Sequence, residues 1–424
     1  MEANRLLIKN AKALVGVHAP GTGRLPGAAM RELPQLEHGW LMAENGIITA
    51  MGTDADWPGI DDWNGLEVID ATDRHVLPGW CDPHSHTVFA ASREGEFVDR
   101  IKGLDYEQIA AKGGGILNSA AKLRAMEEDD LYVQALARVE HLMAQGTVAL
   151  EIKSGYGLDL GSELKMLRVA KRLKQDLPLQ IRATLLAAHA IPPEHKADRT
   201  AYVDLIVDKL IPRVAEEELA QYVDCFCERN YFTVAEMERI LEAGSRHGLG
   251  GKVHVNQFSS LGGIASAVAQ GALSVDHLEV MESADIEALR GSSTIPTLLP
   301  SCSFFLGIPY GPARQLIEAG LPVALASDFN PGTTPSGNMN LVVALGCIKL
   351  RMLPEEAINA ATLNAAAAMG LQKELGSLTV GKRASCIITR PVPSLAYLPY
   401  AFGQDHIDTV IIDGRVIRTG AATA

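Results

Sequence analysis

The most informative stretch of the chain is Leu77-Pro78-Gly79-Trp80-Cys81-Asp82-Pro83-His84-Ser85-His86, an apolar strand that ends in two histidines one residue apart. Side chains at positions i and i+2 of an extended strand point to the same side, so His84 and His86 can bind one metal ion together. Pro78 and Gly79 turn the strand, and Pro83 restricts the backbone just before the first imidazole. Two polar side chains at a loop entrance are the alternative explanation, but this context favours half of a metal site.

Length and composition fit a globular protein with two domains. The chain has 424 residues, which suits a barrel of roughly 250 to 300 residues with an added module. No segment approaches the roughly 20 uninterrupted apolar residues that cross a bilayer, so we expect no membrane insertion. The net charge of −13 argues against nucleic acid as a partner, because phosphate neutralisation needs clustered Lys and Arg. Residues 1–5 lack the pattern of a secretory signal, which predicts a cytoplasmic protein.

The six cysteines predict reduced thiols rather than disulfides. Only Cys225 and Cys227 are close in sequence, and neighbours at i and i+2 on a strand are poorly placed to form a bridge. A metal clip formed by this pair is the alternative.

Short apolar runs alternate with helical patterns up to residue 330, as successive βα units do. Eight such runs with helical crossovers predict a (β/α)₈ barrel of the TIM type, whose active-site residues collect at the C-terminal strand ends. An open doubly wound sheet is the alternative, but the glycines at 113–115 do not follow a strand and fit a flexible loop better than a phosphate-binding turn. The predicted strands are 76–81, 147–152, 180–188, 222–227, 251–255, 273–275, 294–299 and 322–326. The 3.6-residue period predicts helices at 128–145, 163–175, 216–221, 233–247 and 311–319.

Both ends of the chain carry short β-like runs instead, at 5–10, 39–51, 385–389 and 409–416. We expect the two ends to form one small composite β-sandwich, with the barrel inserted between them. The predicted boundaries are residues 1–72 and 376–424 for the sandwich and 73–375 for the barrel. A helical segment at 352–369 is predicted to link the two modules.

Polar side chains accumulate where the predicted barrel strands end, and they include four possible metal ligands. His254 follows the fifth strand and Asp328 the eighth, so that they join His84 and His86. Three imidazoles and one carboxylate suit Zn²⁺ or Fe, with a position left open for water. Such an ion lowers the pKa of its water to about 7, which makes hydrolysis the natural reaction class. The full set at the strand ends is His84, His86, Lys153, His189, Glu228, His254, Gln257, His277 and Asp328.

With this arrangement the chain resembles the amidohydrolase superfamily. The first-strand His-x-His and the His and Asp residues after strands five, six and eight carry the resemblance, which runs over nearly the whole chain. Its most specific stretches are residues 83–89, 113–116, 153–158, 188–194 and 327–332. Within the superfamily they are similar to the branch that opens the ring of 4-imidazolone-5-propanoate to N-formimidoyl-L-glutamate in histidine degradation. The resemblance implies that activity, one Zn or Fe ion held by His84, His86, His254 and Asp328, and a homodimer.

The substrate of that branch has a carboxylate tail, which needs a cation. Arg93, seven residues beyond His86, can offer a two-pronged contact, although alone it would fit a surface ion pair. The family pattern implies further substrate or product ligands at Tyr106, Tyr156, His189, Asn330, Gly332 and Thr333. His277 is expected near the metal without ligating it, where it would hold the attacking hydroxide or the carbonyl oxygen. A buried structural histidine is the alternative for His277.

Two positions distinguish this chain from other branches. Where some family members carry Glu three residues after the strand-five His, this chain has Gln257, and an amide cannot exchange a proton at neutral pH. We therefore expect Gln257 to hydrogen-bond the substrate ring, which weakens the alternative of a heterocycle deaminase and leaves proton transfer to Asp328 or, failing that, to His277. Lys153 lies on strand two, whereas the carbamylated lysine of dinuclear branches comes from strand four, so one metal ion is expected. A catalytically silent scaffold is the third hypothesis, and the retention of all four ligands argues against it.

Overall fold

The computed structural model describes residues 4–104, 108 and 114–418. Within these residues, one sheet has eight parallel strands, each hydrogen-bonded to its neighbour in sequence. This sheet is the barrel. Its strands follow one another in the sheet as they do in the sequence, which confirms the predicted succession of βα units. The strands are β6 (Trp80–Asp82), β7 (Thr147–Lys153), β8 (Gln180–Ala188), β9 (Tyr222–Cys227), β10 (Gly250–Val255), β11 (Ser274–His277), β12 (Ile295–Leu298) and β13 (Ala324–Leu325).

The barrel closes where its first and last strands meet. Ser85 and Phe329 form a parallel bridge just beyond these strands. The buried carboxylate of Asp82 accepts hydrogen bonds from the backbone N–H of Ser327 at 3.0 Å and from its hydroxyl at 2.5 Å. Asp82 lies two residues before His84, and Ser327 directly precedes Asp328. The hydrogen bonds between the first and last strands, which we call the seam, therefore bring Asp328 beside the paired histidines.

Helices cover the outside of the barrel, and most begin with a side-chain cap or an acidic first turn. Thr233, for example, forms a capping box with Glu236 at the start of the helix after β9. The helices of the described residues are α1 (Glu94–Ile101), α2 (Ile116–Ala125), α3 (Glu128–Ala144), α4 (Leu160–Asp176), α5 (Arg199–Leu205), α6 (Ile211–Glu216), α7 (Val234–Arg246), α8 (Gly263–Ala269), α9 (Ser283–Leu289), α10 (Pro300–Leu306), α11 (Ala313–Glu318), α12 (Met339–Ile348), α13 (Pro354–Ala361), α14 (Leu363–Ala368) and α15 (Tyr397–Tyr400).

The predicted helix at 216–221 is wrong. The crossover before β9 is made upstream by α5 and α6, which a π-helical turn (Ile206–Leu210) joins. Glu218 has a φ of 52°, in the left-handed region, so the chain leaves the helix and turns toward β9. By contrast, α13 and α14 occupy the predicted linking segment at 352–369.

The second sheet combines both ends of the chain, as predicted. Its order is β16, β15, β14, β5, β1, β2, β3, and β4 pairs with β1 from outside this path. Leu6, Leu41, Cys386 and Ile388 belong to an apolar core separate from that of the barrel. The strands are β1 (Arg5–Val15), β2 (Gln35–Glu44), β3 (Ile47–Thr53), β4 (Leu66–Asp70), β5 (His75–Pro78), β14 (Cys386–Thr389), β15 (Ile407–Ile412) and β16 (Arg415–Arg418).

The predicted first barrel strand, 76–81, is in fact two strands in different sheets. His75–Pro78 pairs with β1 and β14 in the terminal sheet, and Trp80–Asp82 pairs with β7 in the barrel. A Cβ at Gly79 would lie 2.1 Å from a methyl carbon of Val148, so only glycine can pass between the two sheets at this point. The terminal sheet therefore reaches Pro78, beyond the predicted boundary at residue 72.

The predicted β-like runs at 39–51 and 409–416 each contain a hairpin turn. Asn45-Gly46 and Asp413-Gly414 form two-residue loops in which both residues have positive φ, at 50° and 81° and at 50° and 72°. These dipeptides favour the type I′ turn, whose twist matches that of paired strands. The Asn-Gly and Asp-Gly dipeptides are therefore the sequence feature that indicates these two hairpins.

Two further findings concern the cysteines and the helices. Cys225 and Cys227 are both buried free thiols, and among the described residues neither belongs to a group of potential metal ligands. None of the described helices has the length and hydropathy needed to cross a membrane.

Candidate active site

The C-terminal ends of the barrel strands surround a cavity of about 70 Å³. Its walls combine a cluster of imidazoles with apolar side chains such as Phe226 and Leu306. The predicted site residues that line it are His86, Arg93, Tyr156, His189, His254, Gln257, His277, Asp328, Asn330 and Thr333. Tyr106 and Gly113 lie outside the described residues.

The four predicted metal ligands face one another beneath this cavity. The Oδ1 atom of Asp328 lies 3.5 Å from Nε2 of His84 and 3.6 Å from Nε2 of His86. The Nε2 atom of His254 lies 3.4 Å from Nε2 of His86. Two nitrogens that each lie about 2.0–2.1 Å from a tetrahedral zinc ion are about 3.4 Å apart, so these separations fit one shared ion. The ligand atoms of His84, His86 and Asp328 all lie within 4.8 Å of one another. The same holds for a second group, His84, His254 and His277, so His277 also lies close to the predicted metal position.

Two carboxylates orient the imidazoles from behind. Nδ1 of His84 lies 2.8 Å from Oδ2 of Asp276, and Nδ1 of His254 lies 2.9 Å from Oδ2 of Asp224. A proton held on each Nδ1 leaves Nε2 as the lone-pair atom, which is the tautomer that a metal ligand requires. Nε2 of His84 is buried and has no hydrogen-bond partner among the described residues. This orphaned atom supports a cation at the centre of the cluster, because an unpaired buried acceptor is otherwise costly.

Burial keeps the imidazoles neutral. It lowers the pKa of His84, His86 and His254 well below the usual range, and the nearby Lys153 cation lowers it further for each of them. Neutral imidazoles keep their lone pairs available, so the site is ready to bind a metal ion at neutral pH.

A layer of buried charges lies under the imidazoles, and we call it the floor. Nζ of Lys153 donates to Oε1 of Glu151 at 2.8 Å and to Oδ2 of Asp224 at 2.7 Å, and it lies 3.4 Å from Oδ2 of Asp276. Lys252 contacts the other oxygen of Glu151 and donates to the carbonyl of Pro83 at 2.9 Å. Glu151, Lys153, Asp224, Lys252 and Asp276 are all completely buried.

The role of Lys153 follows from its partners. Burial alone would lower the pKa of this ammonium, but the carboxylates of Asp224, Glu151 and Asp276 outweigh burial and raise it. Lys153 therefore stays charged and balances the two carboxylates that hold His84 and His254. This observation agrees with the expectation that Lys153 is not a carbamylated metal bridge.

Asp328 and His277 have strained backbones and unusual protonation. Their φ angles are 56° and 88°, positive values that residues other than glycine uncommonly adopt. Burial raises the pKa of Asp328 to about 6. Burial would lower the pKa of His277, but the charge of Glu279, 3.4 Å from Nδ1, raises it on balance. A carboxyl group with a pKa of about 6 is suited to both accepting and donating a proton near neutral pH.

The side chains after β7 and β8 lie against the imidazole cluster. The ring of His189 stacks on that of His86 with centroids 5.2 Å apart, and its Nδ1 lies 3.0 Å from the carbonyl of Gly155. Burial lowers the pKa of His189 to about 4, so the ring is neutral and presents Nε2 as an acceptor. The loop that carries Tyr156 is wrapped around the buried carboxylate of Glu163, which accepts three backbone N–H groups from residues 155–158.

The loop after β13 is organised by Asn330. Its Oδ1 accepts the N–H groups of Gly332 and Thr333 at 2.8 and 2.7 Å, and its Nδ2 donates to the hydroxyl of Thr333 at 2.6 Å. That hydroxyl lies 3.2 Å from Oδ2 of Asp328. Together with Arg93 and Gln257, these loop residues form what we call the rim: Arg93, Gln257, Asn330, Gly332 and Thr333.

Several functional side chains were missed in the sequence, namely Glu96, Glu151, Glu163, Asp224, Lys252, Asp276 and Glu279. The sequence does give a sign of those that lie on strands, namely Glu151, Asp224, Lys252 and Asp276. A charged residue inside an otherwise apolar, buried strand is uncommon and requires a partner. Glu228 was noted as a strand-end residue, but its carboxylate accepts N–H groups of residues 229, 258 and 259 and so shapes a loop.

The chain matches known proteins over nearly its full length. The model of the amidohydrolase family matches residues 75–417. The chain is 53% identical over 411 residues to the imidazolonepropionase of Flavobacterium johnsoniae, covering 97% of this chain and 99% of that protein. It is 52% identical over 412 residues to the imidazolonepropionase of Christiangramia forsetii (97% and 100% covered) and 40% identical over 412 residues to that of Brevibacillus brevis (97% and 97% covered).

Solved structures show the same fold at much lower identity. An adenosine deaminase from Xanthomonas campestris with bound zinc has a TM-score of 0.70 at 17% identity, covering 98% of this chain and 93% of that one. A triazine hydrolase variant has a TM-score of 0.75 at 14% identity, covering 99% and 96%. At these identities the likeness concerns the architecture alone.

Proposed function

Since the chain belongs to the amidohydrolase family and, within it, to the imidazolonepropionases, we propose that it hydrolyses 4-imidazolone-5-propanoate to N-formimidoyl-L-glutamate. The reaction adds water across one C–N bond of the cyclic amide. The observation that carries this assignment is the convergence of three neutral imidazoles and the carboxyl group of Asp328 under a cavity that Arg93 also lines.

His84, His86, His254 and Asp328 would hold the metal ion. The three Nε2 atoms and one carboxylate oxygen suit either Zn²⁺ or Fe, and the orphaned Nε2 of His84 supports this ligand set. When bound, such an ion lowers the pKa of a water molecule to about 7 and polarises a carbonyl oxygen.

Asp328 is the group proposed to move the proton. Its carboxylate takes a proton from the attacking water as the new C–O bond forms at the ring carbonyl. It returns that proton to the ring nitrogen as the C–N bond breaks, so no other acid is needed. The position of Asp328 on the cavity wall, beside the paired imidazoles, supports both halves of this transfer.

The surrounding side chains are proposed to bind the substrate. Arg93 would bind the propanoate, and His277, whose charge is favoured by Glu279, would donate to the carbonyl oxygen as negative charge develops there. Gln257 would hydrogen-bond the ring, and His189 and Tyr156 would pack along its side. Tyr106, Asn330, Gly332 and Thr333 stay predicted ligands of the substrate or product.

The proposal is tested by following the absorbance of freshly prepared imidazolonepropanoate. We expect the purified protein to consume it, a chelator to abolish the activity, and added Zn²⁺ or Fe²⁺ to restore it. Metal analysis should give one ion per chain, and the metal that restores the chelated protein most fully identifies the preferred ion. Release of ammonia from the substrate, or unchanged absorbance, would contradict the assignment.

The assembly and location stay predictions. The family resemblance predicts a homodimer, and we propose a cytoplasmic location for an enzyme of this reaction. Sedimentation of the purified protein and fractionation of the source cells would test the two.

A further inference from the structure

Glu96 is a buried carboxylate that joins Arg93 of the rim to the glycine segment before α2. It lies in the first turn of α1 and is only 8% exposed. Its Oε2 atom accepts hydrogen bonds from Nε of Arg93 at 2.9 Å and from Nη2 at 2.5 Å. One edge of the Arg93 guanidinium is therefore held by Glu96, which fixes the direction in which the rest of the group points.

The second oxygen of Glu96 holds the glycine segment before α2. Oε1 accepts the backbone N–H of Gly115 at 3.0 Å. Gly115 has a φ of 87° and a ψ of −164°, a conformation that essentially only glycine adopts, and Ile116, the next residue, lines the cavity. Glu96 thus joins Arg93 to a loop that forms part of the cavity wall. Burial opposes the charge on Glu96, but Arg93 outweighs burial and lowers its pKa, so the carboxylate is ionised.

Gly332 holds the guanidinium from the other side. A Cβ at this position would lie 2.1 Å from Nη1 of Arg93 and 2.6 Å from its Cζ, so the guanidinium lies directly against the bare Cα. The carbonyl of Gly332 accepts a hydrogen bond from Nη2 of Arg100 at 2.6 Å, which fixes this part of the loop relative to α1. Any side chain at residue 332 would displace the tip of Arg93, because that flexible tip yields more easily than the backbone.

We propose that Glu96 is a positioning residue and that Glu96 and Gly332 together hold the Arg93 guanidinium in place for the carboxylate of the substrate. The inference rests on the proposed function, since it assigns the propanoate to Arg93. It makes these two residues the determinants of the preference for imidazolones that carry a carboxylate. Arginine loses less freedom on binding when its planar group is already fixed, so a held guanidinium binds an anion more tightly than a mobile one.

The test compares Glu96→Gln and Gly332→Ala with wild type on two substrates, 4-imidazolone-5-propanoate and its propanamide counterpart. We expect both variants to raise KM for the acid by about 10- to 100-fold, the value of a hydrogen bond to a charged group, with kcat within about threefold. The kcat/KM for the amide, which lacks the negative charge that Arg93 would bind, should change much less than that for the acid. The ratio of kcat/KM for the acid to kcat/KM for the amide then falls in both variants. A general structural defect would lower both values and would not change their ratio.

A control and a binding measurement complete the design. Glu216→Gln removes the carboxylate of another Arg–Glu pair at i and i+3, on the exposed surface of α6, and should leave both substrates unaffected. Calorimetry with imidazole-4-propanoate, which has no ring carbonyl to hydrolyse, should show weaker binding in Glu96→Gln and in Gly332→Ala. The binding of imidazole-4-propanamide should change much less.

The test distinguishes a failure of the positioning role of Glu96 and Gly332 from a failure of the proposed function. If wild type does not consume imidazolonepropanoate, the proposed function fails. If wild type is active but the variants keep its ratio of acid to amide, or lose both substrates equally, the positioning role of Glu96 and Gly332 is overturned.

Discussion

The floor and the rim of the candidate site differ in how the chain positions them. All floor residues belong to barrel strands and are completely buried, so strand register decides which of them meet. In the register of β9, β10 and β11, Lys252 pairs with Asp224 and His254 pairs with Asp276. The rim residues belong to loops instead. Their positions depend on hydrogen bonds between segments far apart in sequence, such as that from Arg100 to the carbonyl of Gly332.

This difference predicts different consequences of mutation. A floor charge that loses its partner stays buried, so the loss appears in the stability of the fold. A rim side chain lies close to the cavity, so its removal should change mainly KM or kcat for the substrate. Variants in the two layers should therefore separate stability from kinetics.

Asp328 lies where floor and rim meet, and its variant should have the largest effect. We expect Asp328→Asn to lower kcat by about 10²- to 10⁴-fold, the contribution of a general acid–base group, because an amide cannot carry the proton. Steady-state hydrolysis of imidazolonepropanoate measures the loss, and metal analysis of the variant separates proton transfer from ligation.

The matched control is Asp129→Asn. Asp129 pairs with Arg172 on the surface and its side chain is 86% exposed, so both rate and stability should be unchanged. An Asp328→Asn variant that retains its ion and more than about a tenth of the wild-type kcat would show that another group moves the proton.

Lys153→Met tests the floor. Removing this ammonium leaves Glu151, Asp224 and Asp276 with only Lys252 to balance them, and we expect the free energy of unfolding to fall by about 3–5 kcal/mol. Urea unfolding of the metal-free protein measures the change. The exposed Lys122→Met should shift stability by no more than about 0.5 kcal/mol. Wild-type stability in Lys153→Met would mean that the floor charges are not balanced in the way the hydrogen bonds indicate.

The barrel strands show why the side chains of the candidate metal site could be placed together from the sequence. Parallel strands in a barrel end at one edge, so His84, His86, His254 and Asp328 could be brought together from strand order alone. The carboxylates behind them carried a weaker signal. Asp224 is a charged residue inside the apolar strand β9, but its pairing with His254 depends on register, which the sequence pattern does not specify.

The rim shows what could not be predicted. The family pattern is what indicates Arg93, and the sequence gives no sign of Glu96, because a glutamate ordinarily faces solvent. The contact between Arg93 and Gly332 joins residues on opposite sides of the barrel seam. The split of the first predicted strand at Gly79 was missed for a related reason, since its cause is contact with Val148 in another strand.

The smallest effect is expected from Gln257→Glu in the rim. Gln257 is 6% exposed, lines the cavity, and donates from Nε2 to Sγ of Cys302 at 3.5 Å. Glutamate has nearly the same shape and can still accept a hydrogen bond, but it cannot donate to the thiol when ionised. We expect kcat/KM for imidazolonepropanoate to stay within about tenfold of wild type, because Asp328 and not residue 257 carries the proton. Absorbance assays give the rate, and an ammonia assay with small amino-substituted heterocycles monitors any new activity. A variant that became an efficient deaminase would show that residue 257 alone decides between ring opening and deamination, and the proton transfer assigned to Asp328 would have to be reassigned.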